Sequence, residues 1–165
     1  MKNKGITLIG MPGVGKSTVG KKLAKTLNKE YVDLDELIYK KSGISDMTYF
    51  KRFGEKAFLE LEEKLALELS LKDIVFAPGG SIIYSKIAME KIKNETFVVY
   101  LQIEKGMLKK RLSRIIMREI VGLKELGFDK LFENRSPLYE KYADLTVNIN
   151  KQSINETIKL ILNSI

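Results

Sequence analysis

The sequence predicts a three-layer α/β/α fold with a central five-stranded parallel sheet. Two observations carry this. Five short apolar runs alternate along the chain with segments of helical periodicity, and the first run leads straight into a glycine-rich turn that opens a helix. Strands separated by helices pair in parallel through crossovers, which leaves helices on both faces of the sheet.

The elements follow in order. Gly5–Ile9 (GITLI) is an uninterrupted apolar run, as a strand buried on both faces requires. Val19, Leu23, Ala24 and Leu27 recur at helical spacing, so a helix over Lys16–Leu27 follows the turn. Residues 31–34 read as a second strand and 35–41 as a helix that Gly43 ends. Between 47 and 71 the positions Phe50, Phe53, Ala57, Phe58, Leu61, Leu65 and Leu69 suggest two helices meeting at a bend near Gly54. Ile74–Ala77 is a third strand and stops at Pro78-Gly79-Gly80. A helix over 85–93, a strand over 97–101 and a helix over 104–112 come next. Residues 113–128 lack a clean period and read as a loop or mobile lid. A helix over 131–142, a strand over 145–149 and a closing helix over 154–165 complete the chain. With no repeat or linker, 1–165 is expected to be one domain carrying the lid within it.

Composition narrows the chemistry. The chain has 165 residues, no Cys and no His. Disulfides and thiolate metal sites are excluded, as is the commonest general base. Catalysis must therefore rest on carboxylates, Lys, Arg, backbone amides and oxygen-bound cations. The net charge of +8 is carried by lysines that alternate with glutamates along helical segments, as in Lys56, Glu60, Glu63 and Lys64. A solvated surface accounts for this better than nucleic-acid binding. The first apolar stretch is too short for a membrane span and carries no cleavage signal, so a cytoplasmic monomer is expected, without membrane or nucleic-acid partners. Only five of the 29 basic residues are Arg, a residue suited to planar work on phosphate or carboxylate: Arg52, Arg111, Arg114, Arg118 and Arg135.

Gly10-Met11-Pro12-Gly13-Val14-Gly15-Lys16-Ser17 matches G-x-x-x-x-G-K-[ST] in full, between a strand and a helix as that motif requires. Its glycines let backbone N–H groups curl around an anion at a helix N-terminus. Lys16 then reaches the β- and γ-phosphates of ATP, and the Ser17 hydroxyl ligates Mg2+. The expected nucleotide set is Gly10, Gly13, Val14, Gly15, Lys16 and Ser17, with Thr18 also supporting the helix start. Asp33 and Asp35, placed at the end of the second strand, would point the same way and flank the loop. One suits hydrated magnesium and the other a hydroxyl proton. A helix N-cap at one of them is the plainer alternative.

With those residues in hand the chain resembles the shikimate kinase family over nearly its whole length. The matching segments are the phosphate loop, Val32-Asp33-Leu34-Asp35, Gly54-Glu55 with Phe58 and Glu62, Pro78-Gly79-Gly80-Ser81, and Arg135, Pro137, Leu138, Tyr139, Ala143 and Asp144. The resemblance implies a P-loop kinase that phosphorylates a hydroxyl of a small hydroxy acid, shikimate, in amino-acid biosynthesis. It implies that Asp33 stands on the magnesium side and that Asp35 is the base facing the acceptor hydroxyl. Gly79 and Gly80 correspond to the last two residues of a Gly-Gly-Gly turn against the substrate, Arg135 to the arginine holding its carboxylate, and Arg118 to a lid arginine acting in catalysis. Arg111 or Arg114 would lie near the nucleotide; a solvated helix face is the alternative for both.

Three positions depart from the family pattern. Leu59 stands where a second carboxylate-binding arginine is expected, Pro78 replaces the first turn glycine, and the lid reads Arg118-Glu119-Ile120-Val121-Gly122-Leu123. All three fall on the acceptor side. They leave a second acceptor open, such as homoserine, whose ammonium Glu60 or Glu62 would balance. A nucleotide kinase fits less well, because Arg52 stands alone between Leu37 and Leu71. A non-catalytic nucleotide-binding module would need neither Asp35 nor a lid arginine.

Overall fold

The computed structural model describes residues 4–112 and 120–165. Its five strands are β1 (Gly5–Ile9), β2 (Glu30–Asp33), β3 (Ile74–Ala77), β4 (Thr96–Gln102) and β5 (Leu145–Asn148), all parallel in the order β2-β3-β1-β4-β5. Interior strands β1 and β3 are buried at every position, whereas the edge strands β2 and β5 are partly exposed. This is why β1 and β3 read as unbroken apolar runs, while β2 carries Glu30 and β5 carries Thr146 and Asn148.

The described helices are α1 (Lys16–Leu27), α2 (Leu34–Ser42), α3 (Asp46–Glu68), α4 (Lys86–Glu95), α5 (Lys105–Leu112), α6 (Leu123–Tyr142) and α7 (Ile154–Leu162), with a 3-10 turn over Ile82–Tyr84. Helix α1 packs against β3 and α7, and α4 packs against β4 and α3. The bend expected near Gly54 is present: that residue has φ 83° and ψ 173° inside α3. No described helix is long and apolar enough to cross a membrane.

Two expectations are corrected. The segment read as lid over 113–128 is helical from Leu123 onward, because α6 starts eight residues earlier than its period suggests. Gly127, at φ 72° and ψ 164°, breaks it into two pieces with different faces and so scrambles the periodicity. Residues 113–119, with Arg114 and Arg118, lie outside the described part. The second correction concerns Asp33 and Asp35. β2 ends at Asp33, which is the N-cap of α2, and Asp35 already belongs to that helix. Strand alternation is therefore not what brings the two carboxylates together.

Candidate active site

The site forms where β1, β2 and β3 end side by side, which a parallel sheet arranges by pointing all its C-terminal ends one way. β1 runs into the phosphate loop, β2 delivers Asp33, and Ala77, paired in register with Asp33, leads into the Pro78-Gly79-Gly80-Ser81 turn. A cavity of about 240 Å³ opens there. Among its lining residues are Gly13, Gly15, Lys16, Ser17, Thr18, Asp33, Asp35, Gly79, Gly80 and Arg135. Those ten positions, singled out from four separate stretches of sequence, thus meet in one place.

On the phosphate side, Gly10, Gly13 and Gly15 have φ of 144°, 78° and 109°, and Gly15 is the N-cap of α1. A side chain at Gly15 would strain the backbone at the point where the helix N–H groups open toward the cavity. Lys16 folds back over the loop, its Nζ donating to the carbonyls of Gly10 (2.9 Å) and Met11 (3.3 Å). Burial lowers its pKa to about 8, and the Arg135 charge works in the same direction, while Asp35, Asp33 and Glu62 oppose it. A phosphate anion would restore the full charge. Val14 keeps its side chain in the core, and its carbonyl accepts from Arg111 Nη1 at 3.3 Å. That contact puts Arg111 against the phosphate loop.

Asp33 is held by three donors. Its Oδ1 caps α2 by accepting the Asp35 N–H (3.0 Å), and its Oδ2 accepts from Ser17 Oγ (3.0 Å) and Tyr31 Oη (2.6 Å). Since Ser17 gives its proton to a carboxylate, its oxygen keeps lone pairs for a hard cation. The pair of oxygens suits a magnesium ion that takes its remaining ligands from phosphate and water. No group of three or more acidic, His or Cys side chains that would hold a metal unaided occurs among the described residues. Tyr31 was not legible as a site residue. Its ring lies across Gly20 of α1, where a Cβ would come within 2.5 Å of it, and burial together with the Asp33 bond pushes its pKa up.

The acceptor side is organised around the glycine turn. Arg135 and Glu62 are each only 1% exposed. Arg135 Nε donates to Tyr84 Oη (3.1 Å) and Nη2 to the Val121 carbonyl (2.8 Å), while Nη1 has no partner. Glu62 Oε2 accepts a hydrogen bond from Ser81 Oγ, and its Oε1 has no partner. A Cβ on Gly79 would overlap Glu62 Oε1, and one on Gly80 would approach Arg135 Nη1 to 3.1 Å. Absence of side chains is thus what lets both charged groups reach the turn. Tyr139 Oη donates to the Gly80 carbonyl (2.7 Å) and fixes the turn from below. Burial drives the Glu62 pKa up to about 7, with the Ser81 bond and the Arg135 and Lys16 charges pulling the other way and Asp35 adding to the rise.

Of the departing positions, Pro78, Ile120 and Val121 line the main cavity. Leu59 does not. It lines a smaller annex of about 140 Å³ with Glu60, Glu63, Tyr84 and Ser85, which shares Glu62 and Ser81 with the main cavity. Tyr84 was not identifiable beforehand, and Ser81 was visible only as the end of the matching glycine turn, because each acts through a partner distant in sequence.

The sequence model described as shikimate kinase matches residues 12–165. This chain belongs to the shikimate kinase family. Among curated members, the shikimate kinase of Caldanaerobacter subterraneus is 30% identical over 162 residues, covering 96% of this chain and 94% of the relative. That of Enterococcus faecalis is 34% identical over 164 residues, with 95% of each chain covered. Among solved structures, the shikimate kinase from Acinetobacter baumannii in complex with shikimate superposes with TM-score 0.88 at 32% identity, over 98% of this chain and 92% of that one. The Aquifex aeolicus shikimate kinase gives 0.79 at 32% identity, over 96% and 94%. As a shikimate kinase family member the chain is an ATP-dependent phosphotransferase with an alcohol group as acceptor, and the expected fold, strand number and parallel sheet agree with that membership.

Proposed function

We propose that the chain phosphorylates shikimate to shikimate 3-phosphate with ATP. The observation that carries this reading is the convergence of Lys16, Asp35, Gly79, Gly80 and Arg135 on one cavity of about 240 Å³ beside the phosphate loop. ATP supplies the transferred group, and Mg2+ held through Ser17 and the carboxylate of Asp33 would neutralise phosphate charge. Lys16, Arg111 and the amides of the loop from Gly10 to Thr18 serve the nucleotide. Asp35, at the same cavity as Lys16, orients the acceptor hydroxyl and takes its proton. The buried, unpartnered Nη1 of Arg135 receives the acceptor carboxylate, and the Gly79-Gly80 turn lets the acceptor approach the backbone closely. A lid over 113–128 within the single domain carries Arg118 as the catalytic arginine, and Arg114 is the alternative to Arg111 near the nucleotide. A monomer in the cytoplasm is the setting we assign.

The test is a coupled ADP-release assay with shikimate, ATP and Mg2+. Expected is acceptor-dependent turnover, with one phosphorylated product per ADP. ADP release that is indifferent to shikimate would overturn the reading.

A further inference from the structure

The two unpartnered charged atoms of the acceptor side have opposite signs and sit on neighbouring residues. Glu62 Oε1 packs on Gly79 and Arg135 Nη1 on Gly80, and consecutive Cα atoms lie about 3.8 Å apart. Both side chains are all but fully buried. A buried carboxylate is costly unless a cation or several donors meet it. Glu62 has one donor, the neutral hydroxyl of Ser81.

The surrounding charge sharpens the point. On the acceptor side of the main cavity, the described lining residues Asp35, Asp46 and Glu62 are acidic, and Arg135 is the basic one once Lys16 is assigned to phosphate. The annex behind Glu62 adds Glu60 and Glu63, and its described lining residues include no Lys or Arg. Glu60 meets only the exposed Lys56, at 3.9 Å, and Glu63 accepts from Ser85. Leu59, partly buried beside them, brings no charge. Among the described residues, such a lining leaves Arg135 to draw a carboxylate and favours a group that is positive next to it.

We infer that the site also takes a small hydroxy amino acid, whose carboxylate meets Arg135 Nη1 and whose ammonium meets Glu62 Oε1. The inference rests on the reading of this cavity as a hydroxyl kinase. In an α-amino acid the two charged groups sit on one carbon, which suits two sites held against adjacent glycines, and the side-chain hydroxyl is left to face Asp35. An ammonium against a carboxylate makes a charge-assisted hydrogen bond, roughly twice as strong as a neutral hydroxyl would make there. The chemistry is the same transfer. The hydroxyl oxygen bonds to the γ-phosphorus, the bridge to the β-phosphate breaks with its electron pair leaving on ADP, and the hydroxyl proton passes to Asp35. The raised pKa of Glu62 is consistent with a carboxylate awaiting a cation.

The experiment measures ADP release and phosphorylated product for the full chain with ATP, Mg2+ and each of three acceptors: shikimate, L-homoserine and 4-hydroxybutyrate. The last keeps the carboxylate and hydroxyl of homoserine and lacks its ammonium. Expected is homoserine turnover well above the acceptor-free rate, with kcat/KM at least thirtyfold higher than for 4-hydroxybutyrate, and a loss of most of that preference in Glu62→Gln. Shikimate turnover without homoserine turnover would sink the amino-acid site and leave the shikimate reading standing. Equal use of homoserine and 4-hydroxybutyrate would sink it too. Homoserine turnover without shikimate turnover would support it and overturn the shikimate reading, and failure of all three acceptors would overturn both.

Discussion

The two halves of the cavity differ in how their polar atoms are satisfied. On the phosphate side nearly every group named has a partner within the protein: Asp33 has three donors, and Lys16 and Arg111 reach loop carbonyls. On the acceptor side Glu62 and Arg135 each keep one buried atom unbonded. The difference teaches how each half is made. The phosphate half is a nearly contiguous stretch whose geometry its own backbone sets, so it stands preformed. The acceptor half is assembled from α3, the glycine turn, the 3-10 turn and α6, and its last hydrogen bonds are left for a ligand to make. Unsatisfied buried groups cost stability, and in a native protein they point to function.

The largest effect should come from breaking the preformed half. Lys16→Met removes the ammonium that phosphate needs while keeping a chain of similar length. Transfer should fall to the acceptor-free background with little change in melting temperature; turnover within tenfold of wild type would count decisively against the assignment. A graded version uses pH. Because the folded-state pKa of Lys16 is lowered to about 8, its charge is present below that value and lost as pH rises through it. ATP affinity measured by titration calorimetry should weaken above pH 8, and binding there should take up protons.

Asp35→Asn cuts across the two halves, since Asp35 sees both Lys16 and the acceptor. General-base positioning contributes typically about 10²–10⁴-fold. The expected outcome is a kcat lower by that order with ATP affinity nearly kept. Lost ATP binding with unchanged turnover per bound enzyme would mark the residue as structural.

Glu62→Gln tests the acceptor half through stability. The folded pKa of Glu62 is raised from 4.5 to about 7. Between those values the folded chain holds a proton that the unfolded chain has released, so stability falls as pH rises through that window, and the full cost is present above pH 7. A shift of this size corresponds to about 3 kcal/mol. The variant should be more stable than wild type by up to that amount in urea melts at pH 8, with the gap closing toward pH 4.5. A gap independent of pH would mean that Glu62 is already compensated in the fold.

Legibility in the sequence follows the same division. β1, the phosphate loop and α1 could be read because their signal is local: an apolar run, glycines at fixed spacing and a helical period. The ten cavity positions were legible because motifs carried them, even where the stated geometry was wrong, as with Asp33 capping α2 rather than pairing with Asp35 along a strand. Glu62 was visible as a matching residue, but its isolation was not. That depends on Leu59 opening onto the annex and on Ser81 being its sole donor. Tyr139 was visible only as part of a matching segment, and the roles of Tyr31 and Tyr84 were not visible at all, because a tyrosine's hydroxyl finds its partner through tertiary structure alone. The start of α6 escaped because Gly127 interrupts its period.

Tyr31→Phe should give the smallest effect, and it probes how much of the preformed half is set from outside the motif. The phenol donates to the same Asp33 oxygen that accepts from Ser17, at 2.6 Å against 3.0 Å. Removing the hydroxyl leaves the ring seated across Gly20 and takes away one donor from a carboxylate that retains two, so no buried group is stranded. The change should cost about 1.5–3 kcal/mol, the range of a hydrogen bond to a charged partner. With Asp33 less firmly held, the Ser17 hydroxyl is less well aimed, and the effect should appear as a several-fold rise in the magnesium concentration needed for half-maximal rate, while KM for the acceptor stays put. Acceptor KM rising instead would show that Asp33 couples the two halves, and the division between a self-contained phosphate end and an open acceptor end would have to be redrawn at β2.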